Sequence, residues 1–212
     1  MNKIVKVHSY MRSGTNFLIY ALYENFYKNN LNIKYNYSAN SINDLNNYYS
    51  KFDDSGNNLN NNAMYLFGDH RMFSGNNLNK IYIMRNPYDC LYSLYKLETS
   101  QESVSWYNKI NKNISYENWL TDNKISYWKE HILSYMKAGC FIVKYEDLKN
   151  SYLTEMQRIA NNFNLKFISK NIVHIDKQVG WIPKGNKVKY DLQTIRNKLL
   201  FHLNESFMSY TI

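Results

Sequence analysis

The chain has 212 residues, a formal net charge of +9 and a hydrophobic fraction of 44%. This length fits one domain whose core needs neither disulfides nor a structural metal, so we expect residues 1–212 to form a single α/β domain. The basic balance favours an anionic partner, a class that includes nucleic acid, membrane phosphate and multiply charged nucleotides.

Cysteine usage and hydropathy suggest a compartment. Cys90 and Cys140 each lie in an apolar run, which is typical of buried free thiols in a reducing environment. No apolar stretch approaches the length that crosses a bilayer, and Met1 to Tyr10 has neither a long apolar segment nor a small-residue cleavage site. The sequence therefore predicts a cytoplasmic protein without a membrane span.

Short apolar runs alternate with helical patterns along the chain. Strands are predicted at 4–7, 64–67, 80–84 and 140–143. Helices are predicted at about 17–26, from Pro87 onward, at 127–136, at 152–163 and at about 192–207. The Asn-rich segment 29–62 is typical of irregular connection, with one short helix near Leu45. This alternation predicts a parallel sheet covered by helices on both faces.

A first anion-binding pattern, Arg12-Ser13-Gly14-Thr15, lies between the first predicted strand and helix. Backbone N–H groups and the helix dipole favour an anion at such a place. Gly14 lets the backbone approach a ligand, Ser13, Thr15 and Asn16 add side-chain donors, and Arg12 adds a forked cation. Ordinary turn and capping chemistry is the alternative explanation. The full Walker pattern is absent, which disfavours an ATP-hydrolysing P-loop.

A second strand-to-helix turn is centred on Arg85, within the Arg-Asn-Pro-Tyr-Asp segment 85–89. Ser93 follows about two helical turns later, so both side chains reach one ligand group only if the ligand lies along that helix. An ion pair between Arg85 and Asp89 is the structural alternative.

Together these segments resemble those of the sulfotransferases that use 3′-phosphoadenosine-5′-phosphosulfate (PAPS). In that family a Lys/Arg-Ser-Gly-Thr loop binds the 5′-phosphosulfate, and residues 12–16 correspond to it. An Arg-Asn-Pro-x-Asp segment with a later Ser binds the 3′-phosphate, which Arg85 and Ser93 match. The segment 128–148, with His131 and a terminal Tyr-Glu-Asp-Leu-Lys, is similar to the family's next helix and strand. The resemblance implies a P-loop-NTPase-like three-layer sandwich, with a central parallel sheet flanked by helices.

The resemblance also implies roles for four further residues. Phe17 and Tyr145 would lie against adenine, a role that aromatic faces fill well, whereas plain core packing is the alternative for both. Lys184 and Gly185 resemble the family's Lys-Gly loop, which closes over the 3′-phosphate with the Lys side chain and the Gly N–H. A Lys-Gly pair in a surface loop is also an ordinary turn.

His70 is the candidate catalytic base, because it follows the strand after which the family places its base. An imidazole suits removal of the acceptor's proton as the O–S bond forms. Asp69 is the alternative, either as the base itself or as a group that orients His70. Adjacent residues in an extended segment point to opposite sides, so only one of the two is expected to face the acceptor.

The predicted activity is transfer of a sulfuryl group from PAPS to a hydroxyl or amine of a small-molecule or glycan acceptor, with release of PAP. Gly68 stands where the family often has a Lys, which leaves charge stabilisation to Arg12, helped by Arg71. No cluster has metal-ligand spacing, so no metal is expected. The segments 35–62 and 106–119 are expected to frame the acceptor site.

Three rival functions stay open from the sequence. One is a small nucleotide or sugar kinase on the same scaffold, which the missing Walker lysine opposes. Another is a basic nucleic-acid-binding module, suggested by the charge and the 21 tyrosines. The third is a PAP-binding protein without catalysis, which the presence of His70 disfavours.

Overall fold

The computed structural model describes residues 6–28, 33–36, 64–73, 75, 80–99, 113–173 and 192–211. Within these residues five strands form one sheet: β1 Lys6–Ser9, β2 Ile33–Asn36, β3 Met64–Asp69, β4 Ile81–Met84 and β5 Phe141–Lys144. Every pairing is parallel and the spatial order is β2-β3-β1-β4-β5. The predicted parallel sheet is confirmed.

The helices of the described ranges lie between and after these strands. They are α1 Thr15–Leu22, which continues as a π-helical turn Tyr23–Tyr27, α2 Pro87–Thr99, α3 Tyr116–Trp119, α4 Asp122–Lys137, α5 Tyr145–Asn150, α6 Tyr152–Phe163 and α7 Leu192–Thr211. Pro87 begins α2, where its fixed φ suits a first helical turn. Thr121 caps α4 by accepting the Lys124 N–H, and Gly139 follows that helix with φ 70°.

The sheet separates two hydrophobic layers. In β4, Ile81 and Ile83 pack in the cluster formed with α1 and α6, whereas Tyr82 and Met84 pack in the cluster formed with α2, α4 and α7. All four side chains are fully buried, which explains why this strand is continuously apolar rather than alternating. Each large apolar side chain buried in this way stabilises the fold by about 1.5–3 kcal/mol.

The segment 29–62 differs from the prediction, because it contains the edge strand β2. Its backbone pairs in register with β3, from Ile33 opposite Met64 to Asn36 opposite Phe67. Four residues are too few to show a strand period, and the pairing with β3 decides the conformation. The helices α3 and α5 were not predicted either, and the helix expected near Leu45 lies outside the described residues.

Because the strands are parallel, their carboxyl ends meet at one edge of the sheet. The loop of residues 10–14 follows β1, His70 follows β3, Arg85 follows β4 and Tyr145 follows β5. The strand order reverses at β1, and sheets of this kind bind ligands at the carboxyl edge beside such a switch point.

Candidate functional site

The loop after β1 adopts a conformation that is open to an anion. Arg12 and Gly14 both have positive φ, 67° and 98°, and Gly14 is the N-cap of α1 without any side-chain cap. The N–H groups of the first turn of α1 therefore have no capping side chain. A non-glycine residue at positive φ costs about 1–3 kcal/mol, so other contacts must hold Arg12 in place.

Helix α2 and Arg85, which follows β4, provide those contacts. Arg12 Nε donates to Ser93 Oγ at 3.1 Å, and one terminal nitrogen of Arg85 lies 3.5 Å from the Arg12 carbonyl oxygen. The two sequence patterns thus form one site, and Ser93 meets Arg12 directly rather than only through a ligand.

Cys90, on helix α2, also contacts the loop after β1. Its Sγ donates to the Met11 carbonyl at 3.2 Å and lies 3.4 Å from Ser13 Oγ. Burial raises the pKa of Cys90 to about 11, so the thiol stays protonated and acts as a small buried donor. Both cysteines are free and buried, as the sequence predicted.

The Arg85 side chain combines a structural ion pair with an unused donor. Its guanidinium lies 3.5 Å from Asp89 Oδ2 and 4.6 Å from the centroid of the Tyr145 ring. Its Nε is buried and has no hydrogen-bond partner in the described part of the chain. Buried donors are rarely left unpaired, so this one fits an anion that binds at the loop.

Phe17 and Tyr145 pack in the core beside the loop. Their rings meet edge to face, with centroids 6.0 Å apart, and only 3% and 9% of their surfaces are exposed. Phe17 also packs against Tyr152, at 6.2 Å. Core packing, the alternative explanation for both residues, therefore holds in this structure, and their role toward adenine stays a prediction.

His70 is held by the end of β1. Its Nδ1 lies 3.0 Å from the Ser9 carbonyl oxygen and 3.0 Å from Ser9 Oγ, which in turn lies 2.5 Å from Thr15 Oγ1. A carbonyl can only accept, so in a neutral ring we assign the proton to Nδ1 and the lone pair to Nε2. Burial lowers the pKa of His70, which favours the neutral form that a general base needs.

Asp69 is bound on another side. Its carboxylate accepts from the backbone N–H of Arg71 at 3.0 Å and from the Arg71 guanidinium at 3.0 and 2.7 Å, and it lies 3.8 Å from His8 Nδ1. Burial alone would raise the pKa of Asp69, but the hydrogen bonds from Arg71 and the proximity of His8 hold it below the ordinary value. This geometry favours His70 over Asp69 as a base, and it engages Arg71 in an ion pair.

The remaining predicted residues lie partly outside what the structure describes. Asn16 is half-buried in the first turn of α1, whereas Lys184 and Gly185 lie outside the described residues, as does most of the expected acceptor frame. In the described ranges no group of three or more His, Cys, Asp or Glu side chains could hold a metal ion. Of the helices that the structure describes, none has the length and apolar character to span a membrane.

Sequence reasoning missed Ser9 and Tyr135, and it noted His131 without assigning it a role. Ser9 ends β1, and His131 and Tyr135 lie on the sheet-facing side of α4. Their contacts depend on which strands are neighbours, so only a correct strand order for β1 and β3 would have revealed them.

Comparison with known proteins agrees with this geometry. A family model described as "Sulfotransferase domain" matches residues 4–180. Among solved structures, the chain resembles the mouse sulfotransferase SULT7A1 complexed with PAP, with a TM-score of 0.54 and 12% sequence identity. The match covers 94% of this chain but only 63% of the mouse chain. Because the sequence identity is so low, the match shows a shared fold and no more. The predicted P-loop-like α/β fold is confirmed. No curated protein sequence matches the chain.

Proposed function

The chain belongs to the sulfotransferase domain family, and from that premise we propose that it transfers a sulfuryl group from PAPS to a hydroxyl or amine and releases PAP. The acceptor is a small molecule or a glycan. We further propose that residues 1–212 act as a single domain. The cytoplasmic location stays a prediction from the sequence.

One observation carries the proposal, the joining of two anion-binding patterns into one site. The 3.1 Å contact between Arg12 and Ser93 and the approach of Arg85 to the Arg12 carbonyl bring two guanidinium groups beside the uncapped start of α1. A ligand with charged groups at both ends of a ribose, such as PAPS, requires two such anion sites close together.

In this proposal each pattern holds one end of the nucleotide. Residues 12–16 bind the 5′-phosphosulfate, and Arg85 and Ser93 bind the 3′-phosphate, with Lys184 and Gly185 closing over it. The buried Nε of Arg85, which has no partner among the described residues, supports this assignment, as does the PAP that accompanies the mouse relative. Phe17 and Tyr145 lie against the adenine.

The chain's own groups then perform the transfer. His70 Nε2 takes the acceptor's proton as the acceptor oxygen or nitrogen bonds to sulfur and the bond from sulfur to the bridging oxygen breaks. The Arg12 guanidinium stabilises the negative charge that moves onto the bridging oxygen, and PAP leaves with that charge. Most of the rate enhancement comes from positioning and charge stabilisation, as in phosphoryl transfer.

The test is a mass-spectrometric screen of phenols, alcohols, amines and glycans with PAPS, combined with calorimetry of PAP, AMP and ATP. Sulfated product and a preference for PAP over AMP and ATP support the proposal. A preference for ATP with phosphorylated product would instead show a kinase. Binding of PAP without transfer to any acceptor class would show a binding protein, and salt-sensitive binding of oligonucleotides alone would show a nucleic-acid module.

A further inference from the structure

Helix α4 touches the segment that carries His70 at two consecutive carbonyls. His131 Nε2 lies 3.1 Å from the His70 carbonyl oxygen, and Tyr135 Oη donates to the Arg71 carbonyl at 2.8 Å. His131 and Tyr135 are four residues apart, so they lie one turn apart on the same face of α4. This face therefore holds the backbone immediately after β3, where regular strand pairing has ended.

The hydrogen bonds around His131 have only one consistent direction. Burial lowers the pKa of His131 to about 4, so the ring carries a single proton at neutral pH. The His70 carbonyl can only accept, which places that proton on Nε2. Nδ1 then accepts from the Tyr82 hydroxyl at 2.9 Å, and that hydroxyl accepts from the Tyr10 backbone N–H at 3.1 Å.

The ring of His131 is also fixed sterically. It is fully buried, and its centroid lies 5.7 Å from those of Tyr10 and Tyr82 and 5.4 Å from that of Tyr135. Both ring nitrogens are engaged, so His131 serves as a donor of fixed orientation and not as a rival base. Its partners come from β4, α4 and the loop after β1, so the contact joins three elements to the segment after β3.

We propose that His131 is a positioning residue, which acts through the backbone of His70 and sets the direction of that side chain toward the acceptor. The inference rests on the proposed function, because it assumes that His70 is the base. His70 is then held at both ends, by Ser9 at its ring and by His131 at its carbonyl. A small rotation of the backbone would turn Nε2 away from the acceptor, and displacement of a reacting group by about 1 Å can cost about 100-fold in rate.

The experiment compares four variants of the full chain with the parent protein. His131→Phe keeps a ring but removes both polar contacts, whereas His131→Gln retains an amide donor near the position of Nε2. Tyr82→Phe leaves His131 in place and removes the donor to its Nδ1, together with the acceptor of the Tyr10 backbone N–H. His202→Gln is the control, because His202 pairs with Asp122 at the start of α4 and lies outside the proposed site. Turnover with PAPS and an acceptor from the screen, PAP affinity by calorimetry and the NMR titration of the His70 ring are measured for each.

We expect His131→Phe to lower kcat by about 10-fold to 100-fold, with KM for PAPS and PAP affinity within about threefold of the parent. The His70 resonance and its apparent pKa should shift in His131→Phe and return toward the parent values in His131→Gln. Tyr82→Phe should shift the His70 resonance and apparent pKa in the same direction as His131→Phe, but by less. If His131→Phe does not fold, the result for Tyr82→Phe tests the inference. His202→Gln should match the parent.

Two results would overturn the inference. One is an unchanged kcat and an unchanged His70 resonance in folded His131→Phe, or in Tyr82→Phe if that variant alone folds. The other is a loss of kcat in His131→Phe that is matched by an equal loss of PAP affinity and is not recovered in His131→Gln. That result would show that His131 stabilises the fold as a whole and does not position His70. If the parent transfers no sulfuryl group, the proposed function fails, but the NMR titration still decides whether His131 positions His70.

Discussion

Gly14 and Tyr145 approach each other so closely that a methyl group on Gly14 would lie 2.4 Å from Tyr145 Cδ2. The glycine also has φ 98°, which L side chains rarely adopt. The loop after β1 can therefore pack against the start of α5 only because residue 14 has no side chain.

Gly14→Ala should weaken PAP binding by at least about tenfold, because the loop must move away from Tyr145 and lose its open N–H groups. Calorimetry with PAP measures the effect. Gly139→Ala is the matched control, since Gly139 also has positive φ but nothing lies within 4 Å of its added methyl group. Equal PAP affinity in both variants would show that the contact of Gly14 with Tyr145 does not shape the ligand site.

Arg85→Ala should remove most of the preference for PAP over AMP, because one charge-assisted contact contributes about 1.5–3 kcal/mol. The affinities of both nucleotides are compared by calorimetry. Arg158→Ala is a control, since Arg158 pairs with Glu155 on α6. A preserved ratio of the two affinities in Arg85→Ala would mean that Arg85 has only a structural role.

Arg12→Ala should lower turnover more than it lowers PAP affinity, because in the proposed mechanism its guanidinium stabilises charge that develops during the transfer. Steady-state kinetics and PAP calorimetry on the same preparation separate the two effects. Normal turnover at saturating PAPS combined with a collapse of PAP binding would make Arg12 a ground-state anchor.

His70→Ala should lower turnover by about 10²-fold to 10⁴-fold, while the PAP affinity and the thermal unfolding temperature stay close to those of the parent. Asp69→Asn should affect turnover less and stability more, because it removes the charge of a buried carboxylate that pairs with the exposed Arg71 side chain. The base must be neutral, and burial lowers the pKa of His70, so the acid limb of the rate profile should fall below the ordinary imidazole value of 6.5. Turnover of His70→Ala within a few fold of the parent would exclude His70 as the base.

Acid should destabilise the fold through His8. Burial lowers the pKa of His8 to about 3. Between pH 6.5 and pH 3 this histidine is therefore protonated in the unfolded chain but neutral in the folded protein. The contribution of His8 to the free energy of unfolding is therefore fully present above the pKa of the unfolded chain, 6.5, and is lost as the pH falls below it. At pH 5 the loss from this residue is about 2 kcal/mol. Urea unfolding at pH 7.5 and pH 5 should show a smaller pH difference for His8→Gln than for the parent. Equal differences would contradict the prediction.

The local signals of the sequence predicted the elements near the site well. Pro87 marked the start of α2, Gly139 marked the end of α4, and the helix 152–163 has the predicted bounds. These features depend on residues close together in the chain, where capping chemistry and period act directly. The two anion-binding patterns were predicted for the same reason.

The contacts within the site could not be predicted in this way. Ser93 was expected to face a ligand, but its contact with Arg12 joins residues on different elements. The link from Tyr82 through His131 to His70 likewise depends on the order of β3, β1 and β4 in the sheet. The order of the strands carries no local signature in the residues that it brings together, so these partners follow only from the tertiary fold.

The central place of β1 has a consequence for the synthesis of the chain on the ribosome. β1 pairs on one side with β3 and on the other with β4, and both partners follow it in the chain by many residues. Until those segments have been translated, the strand that precedes the loop of residues 10–14 exposes two unpaired edges. Such edges are prone to non-native pairing, so slow translation before β4 emerges should increase the demand for chaperones.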